Sequence, residues 1–154
     1  MKLSLSLSEA SAPDWLDTEI TEKLQRIAAT IVDPSSPVDV IVVGDEYIQK
    51  INREYRGYDR PTDVISFSYM DDDESTPEKD DLAGEVYVSY QTLEREAKSQ
   101  GIDIGHLFLR IGAHGLLHIL GFDHKTDADA VRMETEERRL LSSEMTKSDI
   151  DKLF

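Results

Sequence analysis

Hydrophobic periodicity switches between two residues and about 3.6 residues several times along this chain, and that alternation limits the folds open to it. "KLSLSLS" (2–8) alternates apolar and polar residues as a half-buried strand does. "APDWLDTEITEKLQRIAATIV" (12–32) then spaces Trp15, Leu16, Ile20, Leu24, Ile27, Ala28 and Ile31 helically, with Pro13 suited to a first turn. After the breaker "DPSSP" (33–37), "VDVIVV" (38–43) is a β-branched run suited to a sheet covered by helices. "GDEYIQKINREYR" (44–56) reads as a helix with Asp45 as its N-cap. "DVISFSY" (63–69) and "GEVYVS" (84–89) are two further strands, followed by helices at 90–100, 103–120 and 127–144 and a short tail that can add a turn. The order β-α-β-α-β-β-α-α-α predicts an α+β (α/β-like) fold: a single mixed four-stranded sheet packed with about five helices. At 154 residues, with no repeat or linker, residues 1–154 are expected to form one domain.

Composition excludes several classes. The chain has no cysteine, so a soft-metal site has to be built from imidazole and carboxylate. Its net charge of −15 argues against nucleic-acid binding through overall charge and leaves only a local basic patch for that purpose. "DDDESTPEKDD" (71–81) holds a net −6 without apolar periodicity and reads as a solvated loop. The first fifteen residues alternate where a signal peptide would carry a continuous apolar core, and no run reaches membrane-spanning length. The expectation is a soluble, cytoplasmic protein.

Three of the four histidines fall in "AHGLLHILGFDHK" (113–125). His114 and His118 stand four apart on the most apolar helix, about 6 Å apart along its axis, where two imidazoles can chelate one ion. Gly121 can end the helix in the left-handed conformation, so that His124 folds back as a third ligand. Three neutral nitrogens with an open fourth position describe a catalytic zinc site better than a structural one. His106 lies outside the pattern and reads as an ordinary core histidine. Asp123 is suited either to orienting His124 or to a plain turn. The metzincin pattern HExxHxxGxxH matches at His114, His118, Gly121 and His124, but Gly115 stands where the protease has its glutamate base. A helix-interior glycine signals close approach, either of packed backbone or of a bulky substrate.

The second unusual stretch is "NREYRGYDRPTDVISFS" (52–68). Lys50, Arg53, Arg56 and Arg60 against Glu54 and Asp59 give a local net of +2. Arg56 and Arg60 lie where a helix gives way to a loop, from which guanidinium groups can grip a phosphate or simply form surface ion pairs.

Together the two stretches resemble the YbeY family of bacterial endoribonucleases: "HGLLHILGFDH" (114–124) is similar to the family's HGxLHLxGYDH, and "YRGYDRPTDVISFS" (55–68) to its YRGxDxPTDVLSFP. Phe122, Ile119 and Ser68 depart from it. The resemblance implies a zinc-dependent, single-strand-preferring endoribonuclease acting at the small-subunit ribosomal RNA 3′ end and in ribosome quality control. It implies His114, His118 and His124 as ligands of one Zn2+ and Arg56 as a residue important for activity. The expected partners are ribosomal RNA and the ribosome or its proteins, with neither DNA nor membrane.

A metal on three imidazoles can acidify its bound water and polarise a phosphoryl oxygen without a glutamate base. Arg56, with Arg60 as a second phosphate contact, would offset charge on the phosphate; either water or the RNA 2′-hydroxyl can attack. Two rivals stand beside this reading: a metallopeptidase or other metal-dependent hydrolase, and a non-catalytic ribosome-assembly factor with structural zinc.

Overall fold

The computed structural model describes residues 3–7, 12–70 and 82–154. The acidic stretch 71–81, expected as a solvated loop, lies outside them. The chain order is β1 (Leu3–Leu7), α1 (Thr18–Ala29), β2 (Val38–Val43), α2 (Asp45–Arg56), β3 (Val64–Ser68), β4 (Gly84–Ser89), α3 (Tyr90–Gln100), α4 (Ile104–Ile119), α5 (Asp127–Leu141) and α6 (Lys147–Asp151). The fold is α+β with a mixed sheet ordered β1-β2-β4-β3. β2 runs parallel to β1 and β4, while β3 pairs antiparallel with β4 in the register Ile65 with Tyr87 and Phe67 with Glu85. Six helices are present among the described residues against the five or so expected, the sixth being a five-residue helix in the tail, where a turn was foreseen.

Two helix starts differ from expectation for reasons of capping. α1 begins at Thr18, not at Pro13, because the Asp17 carboxylate accepts from the Ile20 amide and outcompetes the proline as a start signal. Pro13 instead opens a turn closed by the Leu16 amide donating to its carbonyl. At α2 the N-cap is Gly44, and Asp45 is the first helical residue. Its carboxylate is drawn away to accept from Ser89 Oγ at 2.7 Å, Thr92 Oγ1 at 2.6 Å and the Arg95 guanidinium at 2.5 Å, tying α2 to α3. Burial opposes this charge, but these donors prevail and hold the Asp45 carboxyl below its usual range.

Strand alternation assigns the two sheet faces. Val38, Val40, Val42, Val86 and Val88 are buried in the main core, where α1, α4 and α5 supply Leu24, Ile27, Phe108, Leu109, Leu116, Met133 and Leu141. The opposite face has a smaller core of Val43, Ile48, Ile51 and Ile65 under α2, with Ile41, Phe67 and Tyr87 only half-buried beside it. α4 lies close against the sheet because of Gly115. A Cβ there would meet Val86 Cγ1 at 2.6 Å and Ser66 Oγ at 3.2 Å. Of the two needs suggested for this glycine, packed backbone is therefore the one met.

Candidate metal centre and cleft

α4 brings His114 and His118 to one side of the helix, facing edge strand β3, and Gly121 with φ +98° turns the chain so that His124 returns to them. One ligand-type atom from each of the three histidines lies within 4.8 Å of the others. The ring centroids are 4.6 Å apart for 114–118, 5.1 Å for 118–124 and 5.7 Å for 114–124. The three histidines are thus converged by one helical turn and one glycine.

The outer nitrogens decide which way the inner ones point. His118 Nδ1 lies 3.0 Å from the Phe122 carbonyl, which can only accept, so that nitrogen carries the proton. His114 Nδ1 lies 3.1 Å from Glu137 Oε1, and the carboxylate again takes the accepting role. In neutral imidazoles this leaves both Nε2 atoms bare, yet they face each other at 3.0 Å. Two lone pairs at that distance repel unless a cation lies between them. The donor set therefore fits a divalent ion that prefers nitrogen, and the residues His114, His118 and His124 can hold it. Burial, then the neighbouring His114 and His124, hold the His118 pKa below its ordinary value and keep the ring in its ligating form.

Glu137 escaped the sequence reading. It is 3 % exposed on α5, within a stripe that includes Met133, Leu140 and Leu141, and Arg110 Nε stands 3.9 Å from the same carboxylate oxygen. A charged residue on the apolar stripe of an amphipathic helix is the signal that could have found it. His106 stays apart, its amide donating to the Asp103 cap.

A cleft of about 590 Å³ opens beside the histidines. Strand β3 forms one wall from Val64 to Ser68, and His114, His118, Asp123 and His124 form the other, with Tyr55 and Arg56 at the rim. Arg56 ends α2, where Gly57 takes φ +79° and its amide caps the Arg53 carbonyl. Asn52 Nδ2 donates to the Arg60 carbonyl at 2.8 Å and holds the following loop in place. Arg56 is exposed, and among the described residues it has no hydrogen-bond or ion-pair partner, whereas Arg53 is paired with Asp59 at 3.3 Å.

The two remaining sequence candidates sit differently. Arg60 does not line this cleft; its guanidinium lies 5.0 Å from the centroid of the Tyr58 ring. Asp123 lines the cleft, but its Oδ1 accepts from the His124 backbone amide at 2.7 Å, and Oδ2 lies 3.6 Å from Lys125 Nζ. It shapes the turn carrying His124 through the main chain. No helix among the described residues is long and apolar enough to cross a membrane.

Comparison with known proteins gives a consistent result. The family model described as "Endoribonuclease YbeY" matches residues 7–144. A protein of that name from Desulfitobacterium hafniense (strain Y51) is 34% identical, over 92% of this chain and 96% of its own. Another, from Geobacter sulfurreducens, is 38% identical over 79% of this chain and 85% of its own. The match to a longer relative of the same name from Rhodopseudomonas palustris (strain BisB5) is 35% identical and spans 63% of that protein's length. The solution structure of a Thermotoga maritima protein superposes with a TM-score of 0.59 at 26% identity, covering 92% of this chain and 91% of that one.

Proposed function

This chain belongs to the YbeY family of endoribonucleases, hydrolases acting on RNA, and from that premise we propose that it is a zinc-dependent, single-strand-preferring endoribonuclease of ribosomal RNA maturation. Its substrate region is the 3′ end of the small-subunit RNA, and its setting is the cytoplasmic ribosome, including ribosome quality control. The observation that carries the reading is the pair of Nε2 atoms of His114 and His118, 3.0 Å apart, in the same cleft as an arginine without a partner among the described residues.

His114, His118 and His124 are the proposed ligands. A divalent ion held there supplies Lewis acidity toward a phosphoryl oxygen and makes water more acidic. The chain's own groups do the rest. Glu137 and the Phe122 carbonyl keep the two Nδ1 protons in place and so fix the rings. Arg56 offers a planar fork of N–H donors to the phosphate, where it offsets charge that develops as the bond to the leaving oxygen lengthens. Arg60 is a second phosphate contact if its side chain leaves the Tyr58 ring, and Asp123 supports the site by holding the His124 backbone. With a net charge of −15, capture of RNA is expected to depend on ribosomal proteins as well as on this cleft.

The test combines metal analysis with cleavage of single-stranded RNA and of an unstructured peptide. The expected outcome is about one zinc ion per chain, RNA cleavage, no peptide cleavage, and loss of both ion and activity in His114→Ala/His118→Ala. Full retention of the ion by that variant would sink the ligand assignment. Cleavage of RNA that survives in the metal-free double variant would remove the metal from the mechanism.

A further inference from the structure

A second cleft of about 360 Å³ opens on the α2 side of the sheet, lined by Tyr47, Tyr55, Phe67 and Tyr87 with Lys50, Glu54 and Glu85. We infer that this aromatic cleft binds an unpaired nucleobase of the RNA whose neighbouring phosphate lies in the histidine cleft. The inference rests on the proposed endoribonuclease reading and extends it to a substrate subsite.

Three observations lead there. The two clefts adjoin, since Tyr55 and Phe67 line both. Tyr55 is 69% exposed and meets Phe67 edge-on, with centroids 5.3 Å apart, so that much of the Tyr55 ring is open to a ligand. Tyr47 is 45% exposed and lies nearly parallel to Tyr87 at 6.2 Å. Exposed rings around a hollow this size offer stacking partners that accept any base. The charges in the cleft then disfavour the phosphate of a nucleotide. Glu54 and Glu85 outnumber Lys50, so a phosphate is repelled, whereas a base has no charge and can donate an amino group to a carboxylate. Glu85 is held ready for this by the Tyr69 hydroxyl, which donates to Oε1 at 2.5 Å.

Stacking also answers a difficulty in the chain's charge. A net charge of −15 opposes long-range attraction of the RNA backbone, and stacking does not depend on that attraction. A base held here must be out of its helix, which gives a physical origin for a single-strand preference.

The test uses Tyr47→Ala, a change at an exposed residue that does not line the histidine cleft. Affinity is measured for a single-stranded oligonucleotide with a 2′-O-methyl backbone, without metal, and for a series in which one base at a time is removed. Wild-type protein should lose about tenfold in affinity when one particular base is missing. Tyr47→Ala should lose the same factor for the intact strand and nothing more for that abasic strand, with a salt dependence equal to that of wild type. If every abasic strand is weakened equally in both proteins, or if the variant binds the intact strand as wild type does, the subsite is overturned. Because binding is read without cleavage, a protein that shows this coupling but cuts no RNA keeps the subsite and loses the catalytic reading. One that cuts RNA without the coupling does the reverse.

Discussion

On the sheet face under α4, Val38, Val40, Val42, Val86 and Val88 are all buried, while on the face under α2 the alternating residues Ile41, Glu85 and Tyr87 are only half-buried. The same strands supply both rows, so strand propensity does not account for the difference. What differs is the cover. α4 sits close enough for Gly115 to touch Val86, and α1 and α5 close around it. Ile48 and Ile51 are the only buried apolar residues that α2 supplies to its face. One face packs against α4, the helix that carries His114 and His118, and the other leaves rings and charged side chains in reach of solvent.

The largest effect that would break this contrast comes from Gly115→Glu. The side chain would have to enter where Val86 Cγ1 stands 2.6 Å from an ideal Cβ, combining overpacking with an unpaired charge near the core. We expect a loss of roughly 3 kcal/mol or more in a denaturant titration, which reverses the gain that helix propensity alone would predict for replacing glycine. A variant as stable as wild type would show that α4 does not press on the sheet.

Arg56→Ala should do the opposite. It removes an exposed side chain without a partner among the described residues, so the melting curve should stay within about 0.5 kcal/mol of wild type, while RNA cleavage falls about a hundredfold. Arg56→Lys should recover little, because an ammonium lacks the planar fork. Unchanged cleavage by the alanine variant would leave Arg56 as a bystander at the rim.

The smallest effect, a dependence on pH, sharpens the comparison. His118 titrates below its usual value of about 6.5 in the folded chain. The unfolded chain therefore binds this proton more readily, and the stability His118 contributes is present above about pH 6.5 and lost as pH falls through the lower folded value. Thermal melts of metal-free protein at pH 7.5 and 5.5 should show a decline that is reduced in His118→Ala and unaffected by Tyr47→Ala. A larger decline in His118→Ala would mean that another group carries the effect.

The histidine centre was legible in the sequence because its parts are local. Two residues on one helical turn, a glycine that can adopt positive φ and a third histidine shortly afterwards leave little for tertiary structure to decide. The strands at 38–43 and 84–89 were equally plain, since β-branched runs between breakers have few other homes. What failed depended on distant partners. Asp45 looked like an N-cap until Ser89, Thr92 and Arg95 took its carboxylate. Glu137 reaches His114 across 23 positions, and nothing near it in sequence names its partner. The aromatic cleft was hidden for another reason: alternation distinguishes two faces of a strand but does not say which of them a helix will leave partly bare.

The Phe122 carbonyl has a consequence for how the family can vary. Because this oxygen belongs to the main chain, any residue that keeps the backbone path at position 122 supplies the same acceptor to His118. Phe122, standing at the tyrosine of the pattern HGxLHLxGYDH, therefore leaves this contact to the His118 ring intact. Such a contact is silent to substitution. It leaves no trace in a comparison of side chains, and a scan that replaces residue 122 by alanine would report on packing while missing the acceptor beneath it.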